Sequence, residues 1–241
     1  MIRIPILTAD SKEDFPAVEL ALAQPNGLLC AGGDLSVERL LRAYRCAIFP
    51  WFNPGEPILW WSPDPRCVFE LANLRPSRSL RRFAGTSRWR ITADRDFEAV
   101  ITACAAPRQD GTGTWIDASM HAAYLAMHRH GHAHSVEVWD DQQLVGGIYG
   151  IALGRVFFGE SMFSQRSNGS KVALFALARQ LVEWGFVIID GQVRNPHLIG
   201  LGAIELPRAR FVRLLEQHCS APSHAGSWSG DWTISSASQL G

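Results

Sequence analysis

An α+β fold with a mostly antiparallel sheet is predicted by three features of this 241-residue chain. From Ala133 onward, "HSVEVW", "QLVGGIYGIAL" and "RVFFGESMF" alternate in the manner of strands, with "DDQ" and "GR" as the tight turns of a meander. "SKVALFALARQLVEWG" then sets Leu174, Leu177, Ala178 and Leu181 on one helical stripe, with Ser170 as its expected cap and Gly185 as its stop. A buried strand, "FVIIDGQV", and a helix opening near Pro207 follow. Runs of strands followed by helices in this order belong to the α+β class.

The elements before the meander are less regular. Residues 1–66 read as a small, loop-rich N-terminal α/β domain, in which Ser36 caps a short helix carrying Leu40, Leu41 and Tyr44 and Pro50 forbids its continuation. Within it, Ala47 to Arg66 packs five aromatic residues and five prolines into twenty positions. A strand is expected at "WRITA", and helices over "SRSLRRFA", "DFEAVITACAA" and "IDASMHAAYLAMHRHG", the last ended by Gly131. Residues 67–219 form the larger domain, and the Ser/Gly-rich segment 220–241 reads as a loosely ordered tail.

Composition excludes several classes. An apolar content of 47% suffices for a sizeable core, no apolar run reaches the length of a membrane span, and the N-terminus lacks the pattern of a signal peptide, so a cytoplasmic protein is expected. Five scattered cysteines without a Cys-x-x-Cys pair suggest neither a disulfide framework nor a zinc site. The histidines of "HRHGHAHS" are split at Gly131 between two elements, so no metal is expected. Formal net charge is zero, yet Leu71 to Ala93 holds no acidic residue while six arginines gather there. Arg78, Arg81 and Arg82 share a face if their segment is helical, giving either a phosphate-binding patch or a solvated helix face.

Two polar interruptions of apolar strands are candidates for chemistry. Asp190 and Gln192 leave the same face of an extended chain, for catalysis or as part of an Asp-Gly turn. Glu160 interrupts "RVFFGESMF", and a glutamate in a buried strand needs a partner, either a cationic substrate group or an internal ion pair.

The blocks "NGLLCAGGDLSVERLLRAYRCAIFPWFNPGEPILWWSPDPR", "GTWI", "GHAHSVEVWDDQQLVGGIYG", "GESMFSQRSNGSKVAL" and "IDGQVRNPHLIGLGA", in this order, resemble the bacterial leucyl/phenylalanyl-tRNA–protein transferases. The resemblance implies that Leu or Phe, and Met less well, passes from aminoacyl-tRNA to an N-terminal Arg or Lys of a protein, marking it for degradation by the N-degron pathway. It implies a GCN5-related acetyltransferase-like catalytic domain that uses no cofactor, with no membrane and no DNA as partner. By the same resemblance Asp190 fixes Gln192, whose amide oxygen accepts from the attacking amine, and Glu160 meets the acceptor's cationic side chain. Tyr44, Trp51, Trp115 and Tyr124 would surround the aminoacyl-adenosine. Phe157, Met162, Leu174, Leu177 and Ile189 would form the pocket for the donor side chain, and Arg78, Arg81 and Arg82 would contact the tRNA body. A CoA-dependent N-acetyltransferase and a non-catalytic RNA-binding module are the competing readings.

Overall fold

The computed structural model describes residues 4–10, 13–106, 116–222, 224 and 226–241. Among them the strands form two sheets. The smaller contains β1 (Ile6–Leu7), β2 (Leu28–Gly32), β3 (Phe49–Pro50) and β4 (Leu59–Trp61) in the order β1-β2-β4-β3, with α1 (Val37–Arg45) between β2 and β3. The cap of α1 is Ser36, whose hydroxyl accepts from Arg39 N. The prolines of Ala47 to Arg66 do exclude a helix, but two short strands of that segment pair, Phe49 opposite Trp61 and Pro50 opposite Trp60. Trp60 is buried and donates its indole N–H to the Gly32 carbonyl, tying the segment to β2.

The larger sheet begins at Arg66. Its strands are β5 (Arg66–Glu70), β6 (Arg90–Ala93), β7 (Ala133–Asp140), β8 (Gln143–Leu153), β9 (Val156–Ser164), β10 (Ile188–Gln192) and β11 (Ile204–Leu206). They lie in the order β11-β5-β10-β9-β8-β7-β6, and β9-β10 is the parallel pair in an otherwise antiparallel sheet. The helices are α2 (Arg78–Thr86), α3 (Phe97–Ala105), α4 (Ala118–Arg129), α5 (Gly169–Glu183), α6 (Pro196–Gly200) and α7 (Arg208–His218). The parallel pair follows from topology, since α5 is the crossover that returns the chain beside β9.

Strand alternation divides the core. On one face Tyr149, Ile151, Phe158 and Ile188 pack with α1, α3, α4 and the smaller sheet; on the other Ile148, Ala152, Phe157 and Ile189 pack under α5. The two sheets therefore share one continuous core cluster. At its start α5 lies directly on β8: a Cβ on Gly146 would come within 2.4 Å of the Gly169 backbone, so neither glycine can carry a side chain without moving the helix. The cap of α5 differs from expectation. Ser170 is inside the helix, Asn168 stands at the N-cap with φ 76°, and the free N–H of Ser170 is taken by the Ser164 hydroxyl at 2.8 Å. A hydroxyl on the neighbouring strand replaces a local cap because the helix begins against β8.

The segment after residue 219 departs most from the sequence reading. Instead of a loose tail, its described residues lie across the sheet: Trp228, Ile234, Ala237 and Leu240 are buried in the cluster under α5. The Trp228 ring stacks on His134 with centroids 3.9 Å apart, and its backbone N–H donates to the buried Asp94 carboxylate at 2.8 Å. Asp94 also accepts from Ser135 N and contacts His134 Nδ1 at 2.8 Å. Tryptophan burial outweighs the disorder tendency of the Ser/Gly-rich surroundings. Replacing Trp228 by Ala leaves a cavity under α5 and should cost about 3–5 kcal/mol. Chemical denaturation measures this; an unchanged midpoint contradicts the packing.

Candidate functional site

The site lies where two parallel strands part. Backbone pairing of β9 with β10 runs through Ile188/Val156, Ile189/Phe157 and Asp190/Phe158. Beyond that point β10 shifts register against β5 between Asp190 and Gln192, and β9 shifts against β8 beside Tyr149 and Gly150. The strands separate, and Glu160 and Gln192 face each other across the opening. Bulges of this kind re-aim side chains at sheet sites. Here they bring the Gln192 amide Nε2 to 2.8 Å from Glu160 Oε1.

Gln192 has a left-handed backbone, φ 61°, which a non-glycine residue adopts only when its surroundings hold it there. Its N–H donates to Asp190 Oδ1 at 2.9 Å. Asp190 is fully buried and is gripped in two-pronged fashion by Arg66, Nε to Oδ1 at 2.9 Å and Nη2 to Oδ2 at 2.7 Å. Arg66 is equally buried. Its remaining terminal nitrogen donates to the Ala47 carbonyl at 3.1 Å, and its guanidinium lies over Phe49 and Phe211, 4.7 and 4.9 Å from their centroids.

Glu160, 9% exposed, closes the other side. Tyr44 hydroxyl donates to Oε1 at 2.9 Å and Tyr124 hydroxyl to Oε2 at 2.6 Å, while the two hydroxyls are 2.8 Å apart. Three oxygen–oxygen contacts thus close a ring, yet two tyrosines bring only two hydrogens. With both hydroxyls donating to the carboxylate the contact between them lacks a hydrogen; all three are hydrogen bonds at once only when Glu160 carries a third proton and donates it to one tyrosine, which then donates to the other. The acidity of the group agrees: burial pushes its pKa up to about 7, the tyrosine hydrogen bonds oppose this, and the Asp190 charge adds to it while Arg66 subtracts. Both tyrosines are held well above their ordinary pKa, first by burial and then by the Glu160 charge, so they remain donors.

Tyr44 and Tyr124 were expected against the adenosine, but both are fully buried, Tyr44 against Phe158 and Tyr124 against Tyr149. Their rings offer no free face to a base; their hydroxyls hold Glu160 instead. Trp51 is 42% exposed, its ring 5.6 Å from that of Trp61. Trp115 lies outside the described residues. Phe157, Leu174, Leu177 and Ile189 come together in the cluster under α5, on the sheet face opposite Tyr44, Tyr124 and Tyr149, with the half-buried Met162 packed against it. Arg78, Arg81 and Arg82 lie exposed on α2, whose buried side is Leu80 and Ala84.

Sequence reasoning missed Arg66 and Tyr149. Arg66 ends the motif "SPDPR", and a basic residue opening an apolar strand, "RCVFE", was a usable signal for a buried counter-ion. Tyr149, at 5.4 Å from the Tyr124 ring, is marked only by its place in the meander.

Two further observations limit what the site can hold. In the loop "QRSNGSK" the N–H groups of Gln165 and Arg166 both donate to the Val145 carbonyl, that of Gly169 to Arg166, and that of Ser170 to Ser164. The loop therefore does not turn these donors toward a pyrophosphate, as a CoA cradle would. Among the described residues no group of His, Cys, Asp and Glu could hold a metal, and no helix is long and apolar enough to cross a membrane.

A family model described as leucyl/phenylalanyl-tRNA protein transferase matches residues 68–216, and one described as its N-terminal domain matches residues 33–64. Curated proteins named leucyl/phenylalanyl-tRNA–protein transferase are similar along nearly the whole chain. That of Pseudomonas syringae pv. syringae is 56% identical over 220 residues, 91% of this chain and 94% of the relative. That of Xanthomonas axonopodis pv. citri is 53% identical over 237 residues, 98% and 95% of the two chains, and that of Nitrosomonas europaea 52% over 234 residues, 97% and 99%.

The raised pKa of Glu160 has a consequence for stability. Its folded-state pKa of about 7 lies above the ordinary 4.5, so its contribution is fully present below about pH 4.5 and is lost as pH rises through about 7. Glu160→Gln removes this dependence. The stability of the native chain relative to the variant should fall between pH 5 and about 7.5 in paired denaturation curves; a constant difference contradicts a buried, protonated Glu160.

Proposed function

This chain belongs to the leucyl/phenylalanyl-tRNA–protein transferase family, and on that premise we propose that its split between β9 and β10 joins Leu or Phe, and Met less well, from aminoacyl-tRNA to an acceptor protein beginning with Arg or Lys. The observation that carries the reading is the Gln192 amide, fixed from both sides. Because Glu160 Oε1 takes its Nε2, the amide oxygen is the atom left to point out of the pair, where it can accept from an amine.

The chemistry asks for little more. The donor ester is already activated, so no nucleotide or metal is required for the step. An α-amine has a pKa of about 8, so a useful fraction is neutral near pH 7. The amine nitrogen attacks the ester carbonyl, a C–N bond forms, the bond to the ribose oxygen breaks, and the amine's proton ends on that leaving oxygen. An amide oxygen does not keep a proton near neutrality. Gln192 therefore acts by orienting the amine and by accepting from it as positive charge develops, and the ribose hydroxyls complete the transfer. Asp190, both of whose oxygens accept from Arg66, holds Gln192 rather than receiving the proton.

Glu160 is the proposed counter-charge for the acceptor's guanidinium or ammonium. A cation beside it favours the carboxylate, so binding would release the proton that closes the tyrosine ring. Trp51 supplies a face for the terminal adenine, worth roughly 1–3 kcal/mol. The donor side chain would enter beside Met162, the half-buried member of the pocket set, and reach Phe157, Leu174, Leu177 and Ile189. The exposed arginines of α2 would meet phosphates of the tRNA. The product would enter the bacterial N-degron pathway in the cytoplasm.

The purified chain should move labelled Leu or Phe from charged tRNA onto a peptide starting with Arg, and ribonuclease should abolish transfer. No transfer from either donor contradicts the reading. Gln192→Ala should lower turnover about 100-fold with donor affinity nearly intact; lost affinity with turnover kept contradicts its role. Arg81→Ala should weaken donor binding and reduce the slope of log K against log salt by about 1. An unchanged slope removes Arg81 from the tRNA interface.

A further inference from the structure

Two opposite charges fully removed from water, as in Arg66 and Asp190, are not by themselves a stability device, because apolar residues of similar volume often serve as well. What this pair does that an apolar pair could not is fix a backbone. Asp190 Oδ1 accepts from both Arg66 Nε and Gln192 N–H, each at 2.9 Å. The planar grip on both carboxylate oxygens stops the carboxylate from turning, and the carboxylate in turn holds Gln192 at φ 61°. In that conformation the β10 register slips and the amide reaches across to Glu160. Arg66 is itself held by the Ala47 carbonyl, whose residue also has a left-handed backbone (φ 62°), and by two aromatic faces.

We propose that Arg66 is a positioning residue for aminoacyl transfer: acting through Asp190, it sets the backbone of Gln192 and hence the direction of the amide that meets the attacking amine. The inference rests on the transfer reading above. It gives the proline- and aromatic-rich segment a mechanical role. Ala47 and Phe49 near its start, together with Arg66 at its end, form the mount on which the reactive strand is set. A lysine offers a single point charge and cannot grip both oxygens with one plane.

The test is steady-state transfer of Phe from charged tRNA to an Arg-initiated peptide by Arg66→Lys, which keeps the buried charge. We expect kcat to fall about 100-fold, the cost of a small misplacement, with KM for both substrates within about twofold of the parent. In a Gln192→Ala background the same change should have less than about a twofold further effect, because the amide that Arg66 aims is gone. Wild-type kcat in Arg66→Lys overturns the proposal, as does an equal loss in both backgrounds, which a merely structural role produces. Should Arg66→Lys fail to fold, the uncharged pair Arg66→Met with Asp190→Asn decides: turnover no higher than in Asp190→Asn alone supports positioning, and turnover near wild type overturns it. An inactive but folded parent overturns the transfer reading and this inference with it; an active parent with an indifferent Arg66→Lys overturns this inference alone.

Discussion

The buried pair of Arg66 and Asp190 ties β5 to β10 at the point where β10 leaves its pairing with β9. Breaking such a pair by removing one partner costs about 3–5 kcal/mol, because the other charge is left stranded. Every exposed alternative is closed here: the guanidinium has the Ala47 carbonyl and two ring faces besides Asp190, and the carboxylate has Gln192 N–H besides Arg66. Gln192, its left-handed backbone and its reach to Glu160 depend on this arrangement. The groups that bracket Arg66 come from the smaller sheet's side, Ala47 and Phe49, and from α7, Phe211.

The sheet separates tasks by face. Asp190 and Glu160 lie on the face toward α1 and α4, within a layer of buried tyrosines; of the apolar residues assigned to the donor side chain, Phe157 and Ile189 face α5, which itself carries Leu174 and Leu177. Alternation along β9 and β10 produces this division with neighbouring residues, Phe157 against Phe158 and Ile189 against Asp190. Where the pairing of β9 with β10 ends, Gln192 and Glu160 touch.

Much of this was legible in the sequence, and the rest has physical reasons. The meander and α5 were readable because a two-residue period and a helical stripe are local signals. Asp190, Gln192 and Glu160 stood out because polar groups interrupt buried strands only with cause. The hydrogen bonds of Tyr44 and Tyr124 to Glu160 were not legible, because a sequence marks an aromatic residue without saying whether its face or its hydroxyl is used. Arg66 was passed over because its partner is 124 residues away, and no local pattern announces that pairing. The tail was misread because composition favours disorder there, whereas one tryptophan and its stack on His134 decide the packing.

The central claim is that Asp190 contributes to transfer by holding Gln192. A double-mutant cycle on single-turnover transfer rates, built from Asp190→Asn and Gln192→Ala, tests it most directly. If Asp190 works through Gln192, the double variant is no slower than Gln192→Ala alone. If the two losses multiply, Asp190 acts independently of Gln192 and the account is contradicted.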